Sequence, residues 1–459
     1  MSELAKDVKF SLKVMTNKQK TKVLFAEADR NFAEIILSFL MLPLGEIVRL
    51  VKKQYGDEEP VFGSLSTLYT GLSNLDDVHF WTDGGKKMLL NPRNSFFNQP
   101  IKYFRCANID CKKKSSSPNV SIYYDSGICD CGKPLSRAMC EIEPKSQATD
   151  EGIFVGGLHF IVTDDLQMAP YEPGSMIQTF IDFGIVVTEG AELRNVTLGY
   201  KEAMDLLKGS LLSKTPLTDT ILRVGNNTDC VPEDFHLLDV PSSTNSKSMT
   251  VTALIQRSTN KLLYVKAKED FVDFILGFLT IPLGGVESLL KGKTSLKSID
   301  NLFNTTANLI KDKHLMTKHT KEMLLEPQLP PFYVSKNMIF ALSEQITPPI
   351  YHCVSITDTN RTVDKGFWMC YKDPKGDEGC YVKQPGMFMV SDNLTVIPLS
   401  VCSRDFIHDE LKIPSSDVKE MEVQIGLKEG LSILKASLTS TSALTDGLMN
   451  PILKTQPNQ

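Results

Sequence analysis

Apolar and polar positions alternate over residues 8–28 around the turn-like "TNKQK", and again over 250–267 around "RSTNK". A period of two marks strands with one buried face, so a β-hairpin is predicted at both places. The pattern then changes. Phe32, Ile35, Ile36, Phe39 and Leu40 share one face of a 3.6-residue helix, and the acidic-rich start "EADRNFAE" suits the positive end of its dipole. Pro43 cannot donate the i to i−4 bond and is expected to end or kink this helix, with Gly45 relieving the turn. Farther on, "FVGGLHFIVTDDLQM" reads as strand, turn and strand, while "YKEAMDLLKGSLL" and "LKEGLSILKASL" carry helical period. Strands and helices mix without strict alternation, which predicts an α+β fold.

These patterns occur twice. Residues 23–45 match 262–284 at ten of 23 positions, and "FLMLPLG" returns as "FLTIPLG". Residues 199–219 match 426–446 at eleven of 21, and "FIVTDDLQMAP" at 160–170 corresponds to "FMVSDNLTVIP" at 388–398. The chain therefore reads as a tandem duplication of one α+β domain. The first repeat covers 1–222, with a zinc-ribbon-like hairpin insert at 103–140. Residues 223–248, polar and outside both repeats, read as the linker, and the second repeat covers 249–459. The run from Phe32 to Leu44 is 13 residues long and holds Glu34, Ser38 and a proline, against the ~20 apolar residues of a membrane-spanning helix. No membrane span is expected.

Composition narrows the function classes. With 459 residues and 42% hydrophobic content the chain can bury substantial cores. A net charge of −5 and a pI near 5.9 argue against a surface devoted wholly to nucleic acid or anionic membrane. The start "MSELAKDVKFSLKV" lacks the basic region and apolar run of a secretory signal, so a cytoplasmic protein is expected, with the nucleus as the alternative. In that reducing compartment the ten cysteines read as free thiols or metal ligands before disulfides.

The strongest chemical signal is "YFRCANIDCKKKSSSPNVSIYYDSGICDCGKPL", which places Cys106, Cys111, Cys129 and Cys131 as two close thiol pairs around a hairpin-length insert. That is the arrangement of a tetrahedral Cys₄ zinc site, each turn supplying two thiolates. Gly132 would let the backbone fold back toward the metal. The second pair has one intervening residue where ribbons usually have two or more, and Cys140 is an alternative fourth ligand. Ordinary free thiols, and after them a disulfide or redox role, are the competing readings. The corresponding stretch of the second repeat holds His352, Cys353, Cys370 and Cys380 without paired spacing, so the metal is expected in the first repeat only. Loss of zinc should loosen 104–140 and leave the second repeat folded.

Other motifs read as structural. "KGKTS" at 291–295 lacks the first glycine of a phosphate-binding loop, since Glu287 stands there, and a helix precedes it. Asp164 and Asp165 align with Asp392 and Asn393, as expected of a strand-connecting turn rather than an acid/base pair. The seven histidines show no metallohydrolase spacing, and no nucleophile elbow is present. The leading reading is a non-enzymatic interaction or scaffold protein with a protein partner and one structural zinc. The alternative is a nucleic-acid-binding protein using Lys102, Arg105, Lys112, Lys113 and Lys114 for phosphate and Tyr103 and Phe104 for stacking. An enzyme of unrecognised class is the second alternative.

The combination of "FAEADRNFAEIILSFLMLPLG", the Cys-x-Cys-Gly segment near residue 130, "VTDDL" and "GYKEAMDLLKGSLLSKTPLTD" resembles a plant family of uncharacterised proteins, domain of unknown function 674. The resemblance covers essentially the whole chain and its two-copy layout. It implies a plant origin and a duplicated domain, and it brings no activity, substrate or catalytic residue.

Overall fold

The computed structural model describes residues 9–455, apart from 57–59, 95–101, 109–110, 112–118, 140–152, 155–156, 172–173, 175, 188, 224–246, 312–317, 348–350, 359–360 and 400–412. In chain order the strands are β1 (Phe10–Thr16), β2 (Val23–Asp29), β3 (Phe104–Cys106), β4 (Asn119–Ser121), β5 (Leu135–Ala138), β6 (His159–Thr163), β7 (Met168–Pro170), β8 (Glu192–Leu198), β9 (Met249–Gln256), β10 (Leu262–Lys268), β11 (Tyr351–Asp358), β12 (Arg361–Trp368), β13 (Cys370–Tyr371), β14 (Met387–Val390), β15 (Val396–Pro398) and β16 (Val418–Ile425). Helices lie between them, and the fold is α+β.

Two five-stranded antiparallel sheets form the frame, with orders β7-β6-β2-β1-β8 and β15-β14-β10-β9-β16. Counted from the start of each half, the two orders are the same. Both predicted hairpins are present, and in β1 the alternation is burial: Phe10, Leu12 and Val14 point inward while Ser11 and Lys13 are exposed. Asn17 Oδ1 closes the first turn by accepting from the backbone N–H of Thr21 and Lys22, at 2.8 and 3.1 Å. A third sheet, β13-β4-β3-β5, joins three strands of the first half to one of the second, and β11 pairs with β12.

The helix after β2 runs Arg30–Ser38, and Phe32, Ile36 and Leu37 are buried on its inner face. Its start differs from expectation. Glu27 belongs to β2 and pairs with Lys13 at 3.1 Å, so no acidic residue occupies the first turn; instead Asp29 caps the helix, accepting from Phe32 N at 2.9 Å. A single 3₁₀ turn, Phe39–Met41, follows, and Pro43 then stands immediately before the helix Leu44–Tyr55. Glu269–Gly277, Phe278–Thr280 and Leu283–Leu289 repeat this course.

The two "PLG" corners lie against each other. Leu44 N donates to Ile281 O at 3.0 Å and Leu283 N to Leu42 O at 2.9 Å, a reciprocal pair that places Pro43 opposite Pro282. Gly45 does not relieve a turn, because neither it nor Gly284 has a positive φ. Both glycines admit a neighbouring backbone: a Cβ on Gly45 would lie 3.0 Å from Leu279 O, and one on Gly284 would lie 2.4 Å from Leu324 O and 3.0 Å from Leu40 O.

Contacts between the halves extend outward from this corner. The helix Leu65–Asn74 reaches the β14–β15 turn of the second sheet, where Thr67 Oγ1 donates to Asn393 O, and Ser64 just before it donates Oγ to Ser440 O, at the end of the helix Leu427–Thr439, at 2.7 Å. Reciprocally, the helix Lys297–Lys311 reaches the β6–β7 turn, where Asn301 Nδ2 donates to Asp165 O at 2.8 Å and Lys297 pairs with Asp165 at 2.8 Å. One hydrophobic cluster accordingly holds Leu37, Leu40 and Leu68 together with Phe274, Phe278 and Leu434. The linker prediction falls mostly on 224–246, outside the described residues. Among the described residues no helix is long and apolar enough to cross a membrane.

The other singled-out motifs serve this frame. Buried Asp164 accepts from Thr218 N at 2.8 Å and Thr218 Oγ1 at 2.7 Å, holding the start of the helix Pro216–Leu222; burial raises its carboxyl to about 6. Asp392 does the same for Thr445, at 2.7 and 2.8 Å. In the "KGKTS" loop Thr294 is turned inward to Glu287 and Asp300, so its hydroxyl is committed to the protein.

Candidate metal centre

The four candidate cysteines converge at one end of the β3-β4-β5 unit. Cys106 ends β3, whose Phe104 and Arg105 pair with Ser121 and Val120 of β4. The first cysteine turn is anchored by Ala107 N donating to Pro134 O at 2.9 Å and by Cys111 N donating to Asn108 O at 3.4 Å. In the second, Gly132 N donates to Cys129 O at 2.7 Å, and Cys129 N donates to Lys133 O at 2.9 Å. Gly132 has φ +79°, the left-handed conformation expected of it. Cys129-x-Cys131 is therefore a tight turn that aims both thiols to one side despite its short spacing.

The Sγ atoms of Cys106 and Cys131 are 3.4 Å apart, those of Cys111 and Cys129 are 3.8 Å apart, and all four lie within 4.8 Å of one another. A tetrahedron with Zn–S bonds of ~2.3 Å has S–S edges of ~3.8 Å. The four cysteines could bind a metal ion. They form the one such group of His, Cys, Asp or Glu side chains among the described residues. Cys106 and Cys129 are buried, Cys111 is half-buried and Cys131 exposed, so an ion would sit just beneath the surface. Cys140 lies outside the described residues, as do the side chains of His352 and Cys353. Cys370 is exposed on β13 and Cys380 is buried, and neither belongs to the cluster.

Electrostatics favour a cation there. The Lys133 backbone N–H, then the Cys106 thiol, lower Cys131 to about 7, so a thiolate is available near neutral pH. The hydrogen bond with Cys131, followed by burial, pushes Cys111 up to about 12, and burial raises Cys106. A divalent cation would displace those protons and pair with the thiolates directly. Asn119 Nδ2 lies 3.9 Å from Cys129 Sγ and supplies an N–H to that sulfur.

The local apolar cluster is small. It contains buried Cys106, Cys129 and Leu135 with half-buried Cys111 against them, separate from the main core, and three of its four members are candidate ligands. The opposite end of the unit is different: Tyr103, Val120, Ile122 and Tyr123 all enter the main core. Tyr103 and Phe104 are buried, so the stacking surface expected of them is turned inward. Lys112, Lys113 and Lys114 lie outside the described residues.

Two features had no local sequence signal. β13, from the far half of the chain, adds to β4 in parallel, with Cys370 opposite Asn119 and Tyr371 opposite Val120. Lys372 then places Nζ 3.1 Å from Asp130 Oδ1, between two of the cysteines, and this partner raises its ammonium pKa. Asp130 and Lys372 stand more than 240 residues apart, a pairing that spacing rules cannot reveal.

No match is found among curated proteins or among solved structures. One family model does match, over residues 6–428, and the chain belongs to that family, described as "Protein of unknown function (DUF674)".

Proposed function

We propose that this protein is a non-enzymatic interaction or scaffold protein, built by tandem duplication of one α+β unit and carrying one structural zinc site in a ribbon-like insert of the first copy. The observation that carries the zinc reading is the convergence of four sulfurs, all within 4.8 Å of one another, on a segment with almost no apolar core of its own. Structural zinc in small modules contributes on the order of 10–16 kcal/mol of apparent binding energy, comparable with a domain's whole stability of ~5–15 kcal/mol. Four thiolates leave no open coordination position for substrate, which favours a bracing over a catalytic metal. The duplication reading rests on the aligned sequence blocks, the matching strand orders and the paired Asp164 and Asp392 anchors.

The test is metal analysis of protein purified without chelator. About one zinc per chain is expected, lost on Cys129→Ser. A chain without zinc, or a Cys129→Ser variant that retains it, refutes the site. The nucleic-acid alternative loses Tyr103 and Phe104, which are buried, as its stacking surface, and of the aromatics in this segment Tyr124 is exposed.

A further inference from the structure

We propose that the cysteine cluster is a modification site for a hydroperoxide, at which Cys131 is oxidised first and closes a disulfide with Cys106, Cys111 follows with Cys129, and the metal is released. This rests on the zinc reading above and adds a reaction, a definite sulfur pairing and a second, covalent way of holding the ribbon closed.

Two sulfur pairs are in contact, and they are built alike. Cys106 Sγ lies 3.4 Å from Cys131 Sγ, and Cys111 Sγ lies 3.8 Å from Cys129 Sγ. Each pair sets an accessible thiol against a protected one: Cys131 is exposed and Cys106 buried, Cys111 half-buried and Cys129 buried. An oxidant arriving from solvent therefore meets Cys131 first and Cys111 second, and each has a buried sulfur beside it to resolve the product. Both pairs also join the two cysteine turns to each other, across 25 and 18 residues, rather than closing one turn on itself. Cys370 provides an internal contrast, because it is exposed like Cys131 but stands outside the cluster.

With hydrogen peroxide as the oxidant the steps balance. The Cys131 sulfur attacks one peroxide oxygen, the O–O bond breaks, hydroxide leaves and is protonated to water, and Cys131 becomes a sulfenic acid. The Cys106 sulfur then attacks the Cys131 sulfur, the S–O bond breaks, a second hydroxide leaves as water, and the disulfide forms. Two thiolates are oxidised by two electrons in all, and one peroxide with two protons becomes two waters. Disulfide sulfurs are ~2.05 Å apart, whereas zinc holds its sulfurs ~3.8 Å apart, so the bond and the metal exclude each other. The ion thereby loses two of its four ligands. A second peroxide takes Cys111 and Cys129 through the same steps. The small cluster of Cys106, Cys129, Leu135 and Cys111 has little apolar surface to hold the turns, but the two cross-links tie them together in place of the metal. A dithiol reverses the change by thiol–disulfide exchange, becoming a disulfide itself, and zinc can then return.

The test treats the zinc-loaded full chain with hydrogen peroxide, follows released zinc with a colorimetric indicator against an untreated control, and maps disulfides by mass spectrometry of alkylated, unreduced peptides. The expected result is loss of the bound zinc, peptides linking Cys106 to Cys131 and Cys111 to Cys129, and oxidation of Cys370 slower than that of Cys131 by about tenfold. Hydrogen exchange over 104–139 separates the two routes to metal-free protein: chelated, reduced chain should exchange faster than zinc-loaded chain by about tenfold or more, and oxidised chain should stay within about twofold of it. Dithiothreitol followed by zinc should restore the starting state. Zinc that stays bound under peroxide, links confined to one turn, or Cys370 oxidised as fast as Cys131 would each overturn the modification site. Oxidised chain that exchanges as fast as the chelated chain overturns the covalent brace. Protein that never binds zinc overturns the metal reading itself, and the disulfide map of that same protein still decides the pairing.

Discussion

Glu287 is fully buried on the helix Leu283–Leu289, and it offers a sharp test of the proton count inside this fold. Its Oε1 lies 2.8 Å from Thr294 Oγ1, which also lies 2.7 Å from Asp300 Oδ1 and accepts from Leu296 N at 3.2 Å. A hydroxyl has one proton to give and two lone pairs to accept with, so it cannot donate to both carboxylates. The cluster therefore needs one further proton, and it is assigned to Glu287, the more deeply buried of the two carboxyls, while Asp300 Oδ1 also accepts from Thr294 N at 2.9 Å. Burial, reinforced by the nearby Asp300 charge, pushes the Glu287 carboxyl up from 4.5 to about 9. The unfolded chain releases this proton above about 4.5, whereas the folded chain keeps it to about 9, so folding takes up a proton throughout that window. The contribution to stability is full below the lower value and falls by about 1.4 kcal/mol per pH unit as pH rises toward the upper one. By pH 7 the loss is about 3 kcal/mol. Glu287→Gln keeps the shape and has nothing to ionise. Denaturant unfolding followed by tryptophan fluorescence from pH 4 to 9 should show the variant equal to the parent near pH 4 and more stable by about 3 kcal/mol at pH 7, the gap widening with pH. A variant less stable at every pH, or a gap that does not grow with pH, would refute the assignment of the proton to Glu287.

Limited proteolysis should cut first within 223–248, and the two fragments should then co-elute on size exclusion in native buffer, because the "PLG" corners and the crossed helices share one core; fragments that separate would contradict that packing. Gly284→Ala should destabilise the chain by about 2–3 kcal/mol in the same unfolding assay, since its Cβ would meet the backbone oxygens of Leu324 and Leu40. Gly45→Ala should cost less, because its closest approach is longer, and equal effects would show that the corner relaxes freely.

The elements were legible in the sequence because their signals are local. Period-two alternation around "TNKQK" and "RSTNK" specifies strands whichever partner covers the buried face, and the position of Pro43 specifies a break in the helix. The cysteine cluster was legible for a similar reason: each turn brings two thiols together over a few residues, and Gly132 has the φ that its turn requires. What the apolar runs could not disclose is which surface each would meet. Hydrophobic burial is non-directional, so Leu40 and Phe278 satisfy their pattern equally well in two separate cores or in one shared core. Tertiary structure decided for one core, and it gave Gly45 and Gly284 a role in backbone contact that a turn-based reading missed. The same limit applies at the metal centre. Tyr103 and Phe104 beside lysines have the composition of a stacking surface, yet packing buries both rings. The partner of β4 and of Asp130 arrives from beyond residue 369, because strand pairing and ion pairing depend on proximity in space, which sequence separation does not encode.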